Sequence, residues 1–420
     1  MIGAYKVLNR LVYHTTLPVL RWKAGQGHRL WRGRLMLDVP DKPVDIWIHA
    51  ASAGEVRIAV VLVGYLKRVR PSVRVHLTVM TEAGYDVARD GLGNADSVSF
   101  FPLDVAPHIG RLFNILQPKA LVIAETEIWP NLITGAAARS VPIVLINGRM
   151  SSQAFGRYKL SRGMFTHLLS LYDRHFLKSE RDRERYAEFG VTDRTAVITG
   201  DMKFDAPLTP RSEGRRRELR YRIGVTDNAP VLVAGSTRPG EEALLLKTFR
   251  ALKTTHPALR LVLAPRHVER LEEIEELIRE AGLPILRYSD PQPSESTREP
   301  IILVDRMGIL NDFYGAADVA FVGGTLVELG GHNLLEPVWA GTPVLYGPSI
   351  DNVAEAAQYI EEHRFGRRVT GSEELTEVLD AFLSGKLRFE RKSEEDEDQT
   401  ATAEVARYIA GLLDRKAADA

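Results

Sequence analysis

The chain has 420 residues, more than one hydrophobic core usually spans, so two domains are expected. Apolar residues make up 45% and charged residues 26%, with Lys+Arg and Asp+Glu equal at 55 each; this is the balance of a soluble globular protein, with no global charge to steer it toward nucleic acid. The absence of cysteine excludes disulfides, thiolate nucleophiles and Cys-based zinc sites, and it fits a reducing cytoplasm.

The first segment, Met1 to Leu37, has no acidic residue but carries Lys6, Arg10, Arg21, Lys23, Arg29, Arg32 and Arg34. Tyr5, Leu11, Val12, Tyr13, Leu17, Leu20, Trp22 and Trp31 are interleaved with them. No stretch is apolar and uncharged over the ~20 residues that a spanning helix needs, and no secretory signal pattern is present. The segment reads either as a basic helix lying on an anionic membrane surface or as a helix packed on its own domain, and composition alone leaves both open.

From Asp45 onward, Val- and Ile-rich runs alternate with amphipathic stretches, the pattern of parallel sheets built from βαβ units. Strands are expected at Asp45–His49, Val73–Met80, Ala120–Ala124, Val141–Ile146 and His175–Leu177. A second series is expected at Val231–Ala234, Leu261–Ala264, Ile301–Val304, Val319–Val322 and Pro343–Tyr346. Lys203 to Pro230, with Pro207, Pro210, Gly214, Gly224 and the basic Arg215–Arg217, reads as the hinge. Ser289–Pro300 reads as a surface loop, and the acidic run Glu390–Asp398 as a solvated charge run rather than a metal motif. The resulting division is an arm over 1–37, a first domain over 38–205, a linker over 206–230, a second domain over 231–400 and a closing helix and tail over 401–420.

Chemistry-bearing residues gather just after the strands, where ligands of open α/β sheets bind. His49-Ala50-Ala51-Ser52-Ala53-Gly54-Glu55 follows the first strand. Ser52 and Glu55 have the spacing of a capping box, and Glu55 is also placed to act as a general base at a cleft rim. Glu125-Thr126-Glu127-Ile128-Trp129-Pro130-Asn131 puts two carboxylates at a buried strand's end, where one can cap the helix opened by Pro130. Lys203, in Thr199-Gly200-Asp201-Met202-Lys203-Phe204-Asp205, is a cation able to meet phosphate or carboxylate. In the second half, Ser236 and Thr237 resemble a phosphate cradle, and Arg266 after Pro265 can bind phosphate bidentately. The fullest motif runs from Phe321 to Pro337. Its glycines, including Gly323 and Gly324 before Thr325, would let backbone amides approach a phosphate, and Glu336 would accept hydrogen bonds from ribose hydroxyls.

Taken in order, these motifs resemble the Kdo transferase family, which moves 3-deoxy-D-manno-octulosonic acid (Kdo) from CMP-Kdo to lipid A precursors. The resemblance runs from about Ile46 to Ala356 and rests on Gly54-Glu55, the Glu125–Asn131 segment, Lys203-Phe204-Asp205, Ser236-Thr237, Pro265-Arg266-His267 and the block Phe321–Pro348. It implies an α/β fold of GT-B architecture, two Rossmann-like parallel-sheet domains facing across a cleft, and an inverting reaction with neither metal nor cofactor, CMP-Kdo being a co-substrate. Glu55 falls on the family's proton acceptor, and Glu125 and Lys203 on positions that stabilise the transition state. Pro265, Arg266, Met307, Gly308, Asn333, Leu334, Leu335 and Glu336 fall on its CMP-contacting segments. The resemblance further implies a lipid acceptor, contact with an anionic membrane surface, no nucleic acid partner, and a place at the cytoplasmic face of the bacterial inner membrane. Three positions depart from the family pattern: Ile309 where an acidic residue is usual, Ser349 where His often follows Gly-Pro, and Arg238 where His is common. The competing readings are a GT-B enzyme acting on a different nucleotide sugar, an epimerase of similar build, and an idle homologue that binds lipid or a partner.

Overall fold

The computed structural model describes residues 2–38, 40, 42–94, 96–205, 213–225, 229–290, 300–392 and 399–418. The expected α/β class is realised as two units. One comprises Met1–Ala206 with Glu397–Ala420, and the other comprises Pro207–Asp396.

The first unit holds a seven-stranded sheet of β1 (Ile46–Ala50), β2 (Val75–Val79), β3 (Ser97–Phe100), β4 (Ala120–Ala124), β5 (Ile143–Gly148), β6 (Arg174–Leu177) and β7 (Ala196–Ile198). Their order is β3-β2-β1-β4-β5-β6-β7, and all pairings are parallel. Because successive side chains of a strand point to opposite faces, β1 serves two cores. Ile46, Ile48 and Ala50 pack with Val56, Ala59, Leu62 and Leu66 of the helix Ala53–Val69 and with Val405 and Ile409 of the helix Ala401–Ala418. Trp47 joins Ile109, Leu112 and Phe113 on the other face. Burial on both faces explains why the central strands are continuous apolar runs.

The second unit holds β8 (Val231–Thr237), β9 (Arg260–Pro265), β10 (Ile285–Arg287), β11 (Ile301–Leu303), β12 (Val319–Val322), β13 (Val344–Tyr346) and β14 (Gly366–Arg368). These run in the order β10-β11-β9-β8-β12-β13-β14, again all parallel. Leu232, Ala234, Leu261 and Leu263 pack on Leu245, Phe249, Ile274, Ile278, Leu375 and Leu379 of three covering helices.

One segment differs from the expectation, and the closing helix, whose place the sequence left open, finds one. The segment expected to be a linker contains the helix Glu213–Arg222, whose Arg220 is buried and donates to the Ala316 carbonyl at 3.0 Å and to Asp318 at 3.3 Å. Its basic residues therefore anchor the second unit, and residues 206–212 and 226–228 lie outside the described residues. The closing helix belongs to the first unit: the Thr402 amide and hydroxyl donate to the Asp205 carboxylate at 2.7 and 3.0 Å. The loop expected at Ser289–Pro300 and the run at Glu390–Asp398 fall mostly outside the described residues.

The basic arm forms the helices Ile2–Gly25 and Arg29–Arg34. Tyr5, Asn9 and Tyr13, spaced four apart and so on one face, bond Asp104 and His108 of the first unit. Val7, Leu8, Leu11, Val12, Val19 and Trp22 are exposed. No helix among the described residues is long and apolar enough to cross a membrane.

Candidate active site

In each sheet the chain reverses its direction of winding beside the first strand, between β1 and β4 and between β8 and β12. Loops diverge at such switch points and leave a crevice at the strands' carboxyl ends. The motifs singled out in the sequence fall at these ends.

In the first unit, Ser52 caps the helix Ala53–Val69 through a complete capping box. The Glu55 carboxylate accepts from the Ala51 amide at 2.8 Å and from the Ser52 hydroxyl at 2.8 Å. Capping does not exclude acid–base chemistry, because the same carboxylate is held in one orientation and is only 7% exposed. Burial raises its pKa, and the Glu125 charge adds to this, against hydrogen bonds from Ala51 and Ser52 that lower it. A base of raised pKa holds an abstracted proton better.

Glu125 ends β4 with φ 52°, a left-handed conformation that is sparse for a residue with a side chain and gathers at functional sites. Two cations grip its carboxylate: Arg149 Nε donates at 2.8 Å and Lys203 Nζ lies at 3.4 Å. Lys203 is held by the short helix Met202–Phe204, where Asp201 accepts the Lys203 amide at 3.0 Å and the Met202 amide donates to Asn147 at 2.9 Å. Among the described residues Glu127 is bonded only by the Trp129 indole, which donates at 3.0 Å. Burial pushes its carboxyl up to about 7, helped by the charges of Glu55 and Glu125, while the indole bond opposes the rise. Asp104 supplies what the helix Pro130–Ala137 lacks at its start, accepting the Asn131 and Leu132 amides at 3.0 Å each. Arg149 and Asp104 were not singled out in the sequence. Arg149 does sit one residue past the end of β5, where a cation opposite paired carboxylates is a readable signal.

In the second unit, β8 and β9 end side by side: Thr237 is in register with Pro265, and the Arg266 amide donates to the Thr237 carbonyl at 3.1 Å. Ser236 has φ 55°, and Thr237 is fully buried. The glycine loop after β12 departs from expectation. The amides of Gly324, Thr325 and Leu326 donate to the Glu241 carboxylate at 2.8, 3.0 and 2.9 Å. The Arg238 amide does so at 2.9 Å, and the Gly323 amide pairs with the Gly235 carbonyl. Gly323, Gly324 and Thr325 thus shape the loop around a protein carboxylate and leave these amides no room for a phosphate. A Cβ at Gly323 would stand 2.5 Å from the Ser236 carbonyl oxygen and 2.7 Å from Glu241 Oε2, so glycine is required for this close approach.

Farther along the loop, Asn333 Oδ1 accepts the Leu335 amide at 3.1 Å and its Nδ2 donates to Glu336 Oε1 at 3.2 Å. Leu334 and Leu335 are buried beneath them. Burial raises the Glu336 pKa, opposed by Asn333 and the nearby Arg266. Met307 is exposed, and Gly308 has φ 83°. Ile309 opens the helix Leu310–Ala316 without a side-chain cap. Ser349 braces the glycine loop by accepting the Gly330 amide at 2.8 Å. Among the described residues no three His, Asp or Glu side chains gather as a metal site.

Residues 25–206 match the family model of 3-deoxy-D-manno-octulosonic-acid transferase, or kdotransferase. The 3-deoxy-D-manno-octulosonic acid transferase of Haemophilus influenzae is 35% identical over 83% of this chain and 81% of its own length. The chain belongs to the Kdo transferase family. The enzyme of the same description from Aquifex aeolicus is 31% identical over 83% of this chain and 90% of its own. A bifunctional glycosyltransferase/methyltransferase of Fusobacterium nucleatum is 35% identical over 87% of this chain, which spans only 56% of that longer protein. In three dimensions the chain is similar to the UDP-GlcNAc 2-epimerase of Neisseria meningitidis, with a TM-score of 0.54 at 13% identity, over 88% of this chain and all of that one. At that identity the likeness speaks for the shared two-sheet fold alone. Family membership makes the reaction class glycosyl transfer.

Two outcomes test this geometry. Glu241→Ala leaves four backbone amides without their acceptor and should lower stability by about 3–5 kcal/mol, as for other broken buried charge networks. Urea unfolding followed by circular dichroism reads this, and an unchanged midpoint would contradict it. For Glu127, the folded-state pKa of about 7 lies above the ordinary glutamate value of 4.5. The folded protein therefore binds an extra proton between those values, and this stabilisation is lost as pH rises through the window. Wild type should lose stability relative to Glu127→Gln between pH 5 and 7.5; parallel profiles would show that Glu127 titrates normally.

Proposed function

We propose that the chain transfers Kdo from CMP-Kdo to a sugar hydroxyl of a lipid A precursor in lipopolysaccharide biosynthesis, with inversion at the anomeric carbon and Glu55 as general base. The observation that carries this reading is the Glu55 carboxylate, buried, oriented by Ala51 and Ser52 and raised in pKa, at the carboxyl end of β1 beside β4.

In this mechanism Glu55 takes the proton of the acceptor hydroxyl as its oxygen attacks the anomeric carbon. The bond from that carbon to the phosphate oxygen breaks, and CMP departs with the electron pair. No proton need reach the phosphate if positive groups hold its charge, which is electrostatic stabilisation by a preorganised site. Arg266 is the group proposed for that role, with Asn333 and Glu336 holding the nucleoside. Lys203, kept in place by Glu125, supplies a cation near the reacting hydroxyl, and Arg149 holds the other carboxylate oxygen of Glu125. The reading uses no metal and no cofactor.

The acceptor is a phosphorylated glycolipid in this reading, and the arm supplies a means of meeting it. The helix Ile2–Gly25 exposes Val7, Leu8, Leu11, Val12, Val19 and Trp22 alongside Lys6, Arg10, Arg21 and Lys23. Apolar and basic residues together suit a helix lying in the interface of an anionic leaflet. The site of action is then the cytoplasmic face of the bacterial inner membrane.

Glu55→Gln keeps the side chain's shape and should lower transfer by between about 100- and 10,000-fold, the usual contribution of a general base, with CMP affinity close to wild type. Product mass after incubation with CMP-Kdo and a tetraacyl lipid A precursor measures the first and calorimetry the second; full turnover by the variant would remove Glu55 from this role. Replacing Leu8, Leu11 and Trp22 together by Ser should weaken co-sedimentation with vesicles containing phosphatidylglycerol. Unchanged association would return the arm to a packing role only.

A further inference from the structure

Arg238 follows directly on the end of β8, and the surroundings of its side chain have a specific character. β8 and β9 pair in parallel through Gly235 with Ala264 and Thr237 with Pro265, so Arg238 and Arg266 leave neighbouring strand ends, whose axes are about 4.8 Å apart. A guanidinium nitrogen of Arg238 meets His267 Nε2, and the other ring nitrogen of His267 lies 3.0 Å from Glu269. His332, from the glycine loop, lies over Gly324. Burial lowers its pKa, and the charges of Arg238, Arg266 and His267 lower it further. Four basic side chains therefore converge on one place.

The carboxylate nearest the cluster, Glu269, meets His267 and leaves both guanidiniums without a close ion pair. Neither Arg238 nor Arg266 has a carboxylate within 4 Å among the described residues. Thr237 Oγ1, Arg238 Nε and His332 Nε2 are buried polar atoms without a hydrogen-bond partner. Buried donors are ordinarily paired, and several orphans beside two permanent positive charges describe a seat for an anion.

Charge counting and covalent chemistry then identify that anion, on the reading that the donor is CMP-Kdo. The phosphodiester of a CMP-sugar carries one negative charge, which one guanidinium answers. A 2-ulosonic acid carries a second charge, a carboxylate bonded to the same anomeric carbon as the phosphate oxygen. The two anions of such a donor are immediate neighbours, as are the two strand ends that carry Arg238 and Arg266. We propose that Arg238 binds the sugar carboxylate of the donor, beside the phosphodiester held by Arg266, and so selects a nucleotide-linked sugar acid over a neutral nucleotide sugar. A donor without the carboxylate would leave Arg238 and its orphaned neighbours unpaired, which is how a polar site rejects an analogue lacking the matching group.

Initial-rate assays of wild type, Arg238→Gln and Arg238→Lys test this. Each measures the KM for CMP-Kdo and the competitive Ki of cytidine 5′-methylphosphate, a cytidine phosphodiester with no carboxylate. Arg238→Gln should raise the donor KM by about 10- to 100-fold, the range for losing a charge-assisted hydrogen bond, with Ki changing less than about twofold and Arg238→Lys falling between. A parallel rise in KM and Ki would assign Arg238 to the phosphate and overturn the proposal, and so would an unchanged KM. Wild-type protein without turnover would remove the donor reading itself, a failure distinct from a moved or unmoved ratio.

Discussion

The Glu241 carboxylate determines what the glycine loop of the second unit can do. Four amides converge on it, from Gly324, Thr325, Leu326 and Arg238, at a residue with no exposed surface. Such a concave group of amides is an anion nest, and here the anion is part of the protein. With the amides turned inward, the groups gathered around the loop are side chains: Arg238, Arg266, His332, Asn333 and Glu336. Thr325 extends the same frame, since its hydroxyl accepts the Gly347 amide at 2.8 Å and its carbonyl the Ser349 amide at 2.9 Å. The first unit uses the device twice more, with Asp104 on the amides of Asn131 and Leu132 and Glu55 on those of Ala51 and Ser52. Carboxylates thus occupy the amide-rich strand ends in both units. Glu127, which receives no amide among the described residues, has its pKa driven by burial up to about 7.

This device also marks what the sequence could and could not reveal. Central strands such as Ala120–Ala124 and Val319–Val322 are buried on both faces and read as unbroken apolar runs. The four strands missing from the reading, β3, β7, β10 and β14, are the edges of the two sheets. An edge strand has one paired neighbour and a partly open face, so Ser97-Val98-Ser99-Phe100 and Gly366-Arg367-Arg368 carry polar residues where a core strand would not. The site divides in the same way. Glu55, Glu125 and Lys203 stand at strand ends in recognisable strings, and the structure joins Lys203 to Glu125. Glu241 leaves no such trace because its partners are backbone amides, and a glycine pair looks alike whether it approaches a phosphate or a carboxylate. Asp104 was hidden for the same reason, and the 206–230 segment because Gly214 lies inside, and Gly224 just beyond, a helix held by Arg220.

The arm inverts the usual economy of a surface helix. An amphipathic helix ordinarily turns its apolar stripe to the core and its polar stripe to water. Here Tyr5, Asn9 and Tyr13 hold the helix by hydrogen bonds to Asp104 and His108, while a row of aliphatic side chains and Trp22 faces outward. Tyr5 and the Asn131 amide share one oxygen of Asp104, so the arm and the segment bearing Glu125 and Glu127 hang from a single carboxylate.

The Asp205–Thr402 contact has a bearing on how the chain matures. The second unit is one uninterrupted stretch, whereas the first is completed only by the helix Ala401–Ala418, which covers Val56, Ala59 and Leu62 beneath Glu55. A ribosome finishes the second unit before it releases that helix, and domains fold as units during synthesis. The second unit is therefore complete first, and the sheet that carries Glu55 stays unsealed until the helix Ala401–Ala418 emerges. A chain cut short before that helix keeps an apolar face of its first sheet uncovered, so a change far from Glu55 in sequence reaches the core of the helix that carries it.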